Sequence, residues 1–138
     1  MGNLPEHLQT VEIVHFRSSV TEYGLEQELT SKVVEELVSN GRLAVVTDNP
    51  DAILEGRIVS FTRTAYSYTS AEEIEEYKLD IRVNLTFTDM VRDEDILDTE
   101  SVGEWIVYDP DTEQYTDARN RLLDQAADEI VRSCLSGW

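Results

Sequence analysis

Between residues 77 and 88 the chain alternates without a fault. Leu79, Ile81, Val83, Leu85 and Phe87 hold the odd positions, while Lys78, Asp80, Arg82, Asn84 and Thr86 hold the even ones. A period of two belongs to a β-strand with one face in a core and the other turned away from it. A second long strand is predicted over residues 52–64, joined to the first by a loop over 65–76. If the two form an antiparallel hairpin with Arg63 opposite Lys78, then Ile58 faces Val83, Leu54 faces Phe87, and the apolar sides coincide. The opposite side then gathers Arg57, Val59, Phe61 and Arg63 beside Lys78, Asp80, Arg82 and Asn84.

Elsewhere the period changes. Leu25, Leu29, Val33 and Leu37, widened by Val34 and Val38, mark one face of a helix of about 15 residues, and Asn40-Gly41 supplies a left-handed stop. Ala118, Leu122, Ala126 and Ile130, flanked by Leu123, Ala127, Val131 and Cys134, mark a second amphipathic helix. The β-rich stretch 9–16 reads as a first strand, 43–47 as a short buried one, and 101–108 as a further long strand; the run Arg92-Asp-Glu-Asp95 before it reads as a charged connection. The order β-α-β-β-β-β-α predicts an α+β two-layer sandwich, with two helices on one face of a mainly antiparallel sheet of four to five strands. Residues 1–138 are expected to form one domain, a size that suits a single core.

Composition narrows the partners. Acids number 29 and bases 11, giving a formal charge of −18 and a pI near 4.2. Such a chain is repelled by the phosphates of nucleic acid, so no nucleic-acid partner is expected. No apolar run approaches the roughly 20 residues that span a bilayer. Four of the few bases nevertheless meet on the predicted outer sheet face, with Phe61 between them. This is either a solvated outer surface or a docking face for a ligand or partner.

Catalytic and metal chemistry find little support. His7 and His15 have no carboxylate or cysteine at metal-ligand spacing, so no metal site is expected. The stretch Asp109-Pro-Asp-Thr-Glu113 begins like a calcium loop but has Gln114 where a glycine is needed and Asn120 where a glutamate is needed. Single Cys134 excludes an internal disulfide and reads as core packing. There is no nucleophile elbow and no phosphate-binding glycine loop, and the acidic clusters 72–76 and 93–95 lack a partner group. No enzyme and no cofactor are expected.

Several segments, taken in order, resemble the LptE-type lipopolysaccharide-assembly lipoproteins of Gram-negative outer membranes. They are Leu4-Pro-Glu-His-Leu-Gln-Thr-Val-Glu-Ile13, Gly24-Leu-Glu-Gln-Glu-Leu-Thr30, Asn40-Gly-Arg-Leu43, Pro50-Asp-Ala-Ile-Leu-Glu-Gly56, Glu76-Tyr-Lys-Leu79 and Leu135-Ser-Gly-Trp138. Pieces of the set are also similar to TolB amino-terminal and CsgG-type periplasmic domains, which implies an alternative role as an interaction module in another envelope assembly. The LptE resemblance implies a periplasm-facing protein held at the outer membrane by an acylated amino-terminal cysteine. Its partner would be an LptD-type β-barrel, which it plugs and supports during lipopolysaccharide insertion, and its fold would be two helices against a four-stranded sheet.

Three departures stand out. The acylated cysteine is absent, as expected of a soluble chain trimmed of leader and anchor. Residues 89–98 lack the family's compact turn and following tryptophan. The charge of −18 opposes direct contact with anionic lipopolysaccharide. Two mechanisms therefore compete: a plug that binds its barrel by shape, or direct contact between lipid phosphates and Arg57, Arg63, Lys78 and Arg82. The loop 65–76, with Tyr66 and Tyr68, is a candidate contact with the barrel wall.

Overall fold

The odd-numbered side chains of the alternating strand are dry: none of Leu79, Ile81, Val83, Leu85 and Phe87 is more than 1% exposed. The computed structural model describes residues 4–136. Its elements run β1 (Thr10–Ile13), β2 (Arg17–Ser18), α1 (Leu25–Asn40), β3 (Ala44–Val45), β4 (Ala52–Tyr68), β5 (Ile74–Asp89), β6 (Glu94–Tyr108) and α2 (Tyr115–Ser136). The sheet order is β3-β1-β4-β5-β6, with β2 also paired to β4. The long ladders β4–β5 and β5–β6 are antiparallel, whereas β1 and β2 run parallel to β4, and β3 parallel to β1. The fold is α+β, two helices and a mixed sheet.

Each helix buries the central stripe that its spacing predicts, but of the two residues expected to widen the α1 stripe Val34 is half-buried and Val38 is 62% exposed. Leu25, Leu29, Val33 and Leu37 of α1 are buried, and so are Ala118, Leu122, Ala126 and Ile130 of α2, in one cluster with the odd side chains of β5. Gly41 takes φ +77°, and its N–H donates to the Leu37 carbonyl, ending α1 in the left-handed conformation that glycine tolerates best. Cys134 lies in the core at 1% exposure, and burial pushes its thiol up to about 12. Between the helices, Lys32 pairs with Asp124 at 2.6 Å and Arg119 with Glu28 at 3.1 Å. Phe16 packs across the sheet at Gly56, where a Cβ would stand only 2.9 Å from its ring.

Four sequence-based boundaries change. The loop expected over 65–76 is mostly strand: β4 runs on to Tyr68, β5 begins at Ile74, and only residues 69–73 turn. The charged run 92–95 is no extended connection: the turn is residues 90–93, and β6 starts at Glu94 rather than near 101. The first strand, expected over 9–16, is only Thr10–Ile13, and a separate two-residue strand, β2, follows beyond the expected range at Arg17–Ser18. Finally, the hairpin register slips. Leu54 faces Phe87 and Ile58 faces Val83 as expected, but Val59 bulges, so that Ser60 meets Arg82 and Arg63 meets Leu79 instead of Lys78. One extra residue inverts every side chain beyond it. Phe61 and Arg63 therefore leave the outer face for the helix side.

The amino-terminal segment is pinned to the β5–β6 turn. Leu8 is buried, and His7 Nε2 lies 2.6 Å from Oδ2 of Asp89, whose Oδ1 accepts the backbone N–H groups of Val91 at 2.9 Å and Arg92 at 3.0 Å. Burial of Asp89 favours its neutral form, but the bonds from Arg92, His7 and Val91 outweigh it and hold the carboxyl below its ordinary 3.8. A native value below the unfolded one means that the carboxylate form stabilises the fold above about pH 3.8, and that this contribution fades as pH falls through the lower native value.

Denaturant unfolding of Asp89→Asn against the parent should therefore show a stability gap of roughly 1–3 kcal/mol at neutral pH that closes in acid below pH 3.8. A gap that persists unchanged at pH 2 would remove the carboxylate from the account. On β5, Ile81→Asp should cost about 3 kcal/mol or more by burying an unpaired charge. Arg82→Glu, one residue on and facing outward, should change stability by less than about 1 kcal/mol. Equal losses in the two variants would contradict the inside–outside assignment of the strand.

The outer sheet face as candidate functional site

Arg57, Asn84 and Ser101 stand in one row across β4, β5 and β6, and Ser60, Arg82 and Gly103 in the next. Arg82 Nη1 donates to Ser101 Oγ at 3.1 Å. Its guanidinium lies across Gly103, 3.1 Å from the point where a Cβ would be, so the missing side chain makes room for it. Further along the same face, Lys78 Nζ sits 4.6 Å over the Trp105 ring and 3.8 Å from Asp80. Tyr66 follows, its ring centroid 6.4 Å from that of Trp105. Tyr66 and Trp105 are both about half exposed, at 53% and 50%. An ammonium and two aromatic rings thus form one platform on the side away from the helices.

The face also holds a basic residue that the sequence reading missed. Arg17 of β2 is the register partner of Arg57, so the two guanidinium groups project side by side from parallel strands. Both are exposed. Arg57 Nη1 donates to Ser19 Oγ at 3.3 Å, and neither arginine has a carboxylate within ion-pair distance among the described residues. With His15, Asn84 and Thr99 they line an open depression of about 280 Å³. Glu55 lines it too, and Asp80 lies on the same face, so the surface is of mixed charge rather than uniformly basic. Paired guanidinium groups beside hydroxyl and amide donors suit an oxyanion.

The predicted site residues therefore divide. Arg57, Lys78 and Arg82 share the outer face, joined by Tyr66 at its upper end. Tyr68 stands at the hairpin tip, 60% exposed. Phe61 and Arg63 do not belong to the group, because the Val59 bulge turns them to the helix side. Phe61 packs against the core there. Arg63 lies with its Cζ 4.4 Å from the Tyr77 ring and 5.7 Å from that of Tyr115, and Nη1 donates to Tyr108 Oη at 3.3 Å. The Tyr108 hydroxyl bond, working against partial burial, raises the Arg63 pKa. Trp105 was legible as an outward residue, since it precedes the buried Ile106; Arg17 was not, because β2 was not seen as a separate strand.

The profile of lipopolysaccharide-assembly proteins of the LptE type matches residues 8–133, nearly the whole length. The chain belongs to the LptE family. Solved structures agree in fold. A hypothetical protein of Chlamydia trachomatis superposes with a TM-score of 0.67 at 10% identity, over 95% of this chain and 99% of its own. An uncharacterized lipoprotein B from Nitrosomonas europaea gives 0.64 at 16% identity, over 97% and 85%. The rare lipoprotein B of Shewanella oneidensis gives 0.58 at 21% identity, over 88% and 92%. At such identities the likeness is one of fold alone. No curated protein sequence matches the chain.

Membership of the LptE family ties the chain to lipopolysaccharide assembly, the work of a non-enzymatic group of lipoproteins associated with the outer membrane. Among the described residues no helix is long and apolar enough to cross a membrane.

Proposed function

We propose that this chain is a single LptE domain that acts from the periplasmic side of the outer membrane, tethered there by a lipid anchor in the complete protein. It plugs and supports an LptD-type β-barrel while lipopolysaccharide is inserted. The observation that carries the reading is the family match over residues 8–133, joined to a sheet whose outer face no helix covers among the described residues. That face offers what a protein interface needs. Tyr66 and Trp105 supply large rigid contacts, and Arg57, Lys78 and Arg82 supply polar ones around them. The barrel wall meets this face, with Tyr68 and the hairpin tip reaching beyond it.

A second contact is favoured by Arg17 and Arg57. Their neighbouring guanidinium groups suit the phosphates of lipopolysaccharide, and they lie apart from the Tyr66–Trp105 platform. The charge of −18 opposes long-range attraction of an anionic lipid, but over distances beyond about 8 Å physiological salt screens it. In this arrangement the plug holds the barrel, and the arginine pair touches lipid locally.

The tagged chain should recover a large outer-membrane β-barrel from detergent extracts of a cell that carries the LptD partner. A photoreactive residue in place of Trp105 should crosslink to the same barrel. Arg57→Glu combined with Arg82→Glu should reduce recovery several-fold while the fold survives. If neither route yields a barrel, the plug reading fails.

A further inference from the structure

Sheet edges are hazards, because unpaired N–H and C=O groups recruit other strands, and folded proteins protect them. Three stretches of edge stand out in this sheet, and two are protected. β3 is only two residues long. The upper part of β6 is covered by α2: Arg121 Nη2 donates to the Val107 carbonyl at 3.0 Å, and Gln125 Nε2 to the Trp105 carbonyl at 3.3 Å. The lower part of β6 carries Glu94, Asp95, Asp98 and Glu100, and is bent where Thr99 takes φ +54°. Charge and bending both discourage strand addition.

The third edge is bounded by the Val59 bulge and by a second irregularity after Ala65, but between them it carries no acid and no other described strand or helix covers it. β2 follows β4 only as far as the bond from the Ser19 N–H to the Ile58 carbonyl, at 2.9 Å. From Ser60 to Tyr68 no backbone group on that side of β4 is bonded to another described part of the chain. Since the Ile58 carbonyl faces β2 and the Val59 bulge sets two residues opposite Arg82, the alternation turns the N–H and C=O groups of Phe61, Arg63 and Ala65 away from β5. They form a row of three donor–acceptor pairs about 7 Å apart. Acids make up 29 of 138 residues, yet the 16 from Gly56 to Ala71 contain none and contain two arginines. This edge is β-prone, unpaired and free of acids.

Arg63 tells what would pair with it. It sits on the edge, wedged against Tyr77, Tyr108 and Tyr115, and no carboxylate lies within ion-pair distance of it among the described residues. In a chain of charge −18, a guanidinium fixed by three tyrosines instead of an acid is a cation held ready for an outside anion. A second copy of the same edge would oppose arginine to arginine.

We propose that the β4 edge from Phe61 to Ala65 accepts, by strand addition, an extended polypeptide segment whose carboxylates meet Arg63. The backbone row supplies the affinity and the arginine selects the charge. The site is separate from the outer-face platform and does not require the barrel.

Two synthetic ten-residue peptides test this, both alternating threonine and valine, one with glutamates at every fourth position and the other with lysines there. Amide hydrogen exchange of the full chain is read by NMR. At a concentration ten times its dissociation constant, the glutamate peptide should slow exchange at Phe61, Arg63 and Ala65 about tenfold. The lysine peptide should not. Arg63→Glu should reverse the preference, and Ala65→Pro, which removes one outward N–H, should abolish protection by either peptide while the dispersed spectrum of the fold persists. The proposal is overturned if no peptide protects these amides, if both peptides protect them equally, or if they become protected without peptide as protein concentration rises.

Discussion

Two helices can cover a sheet only if one of its faces is continuously apolar, and here β5 supplies that continuity. It is paired along most of its length on both sides, to β4 and to β6, and every second side chain from Leu79 to Phe87 is buried under the helices. Both neighbours inherit their facing from it. Leu54 and Ile58 are dry because they oppose Phe87 and Val83; Val102 and Ile106 are dry because they oppose Val83 and Leu79. The position of each candidate side chain on these strands is thus a matter of parity relative to β5.

That parity explains what could and could not be read from the sequence. Helices declare themselves through a stripe of fixed spacing, and the buried faces of α1 and α2 are the predicted ones apart from the exposed Val38 and the half-buried Val34. β5 declares itself equally well, since its alternation is unbroken. β4 does not. Its apolar residues fall at Leu54 and Ile58, then at Phe61, a spacing of three that no regular strand accommodates on one face. Continued alternation would have left the Phe61 ring in water; inserting Val59 as an extra residue puts it back against the core and carries Arg63 with it. The phase break between Ile58 and Phe61 was the available signal, and its consequence falls on Arg63 and Phe61, two of the five residues assigned to the face. Arg17 was hidden for a different reason. A two-residue strand has no periodicity to detect, and only its parallel pairing with β4 reveals which way Arg17 points.

The hairpin between β4 and β5 is longer than the turn signals suggested, again for a physical reason. Polar, threonine- and serine-rich sequence such as 65–70 looks like a loop when judged by composition, but β-branched and aromatic residues also suit an exposed two-stranded ribbon. Tyr66 and Tyr68 lie in the extension of the strand without needing a core. The hairpin therefore projects the exposed rings of Tyr66 and Tyr68.

Charge distribution sets the outer face and the edge of the hairpin apart. A net charge of −18 keeps the surface solvated and discourages indiscriminate association. The few cations lacking carboxylate partners then become conspicuous, because each could have been neutralised by a nearby acid and was not. Arg17 and Arg57 stand together on the outer face; Arg63 stands on the edge of the same strand, against tyrosines. Exposed ion pairs contribute little to stability, about 0–1 kcal/mol, so nothing in folding requires these arginines to be paired, and equally nothing in folding requires them to be arginines. Holding Arg63 against Tyr77, Tyr108 and Tyr115 costs side-chain entropy that an alanine would not incur. Positions that keep a fixed, uncompensated cation beside an open strand edge are better explained by what they bind than by what they stabilise.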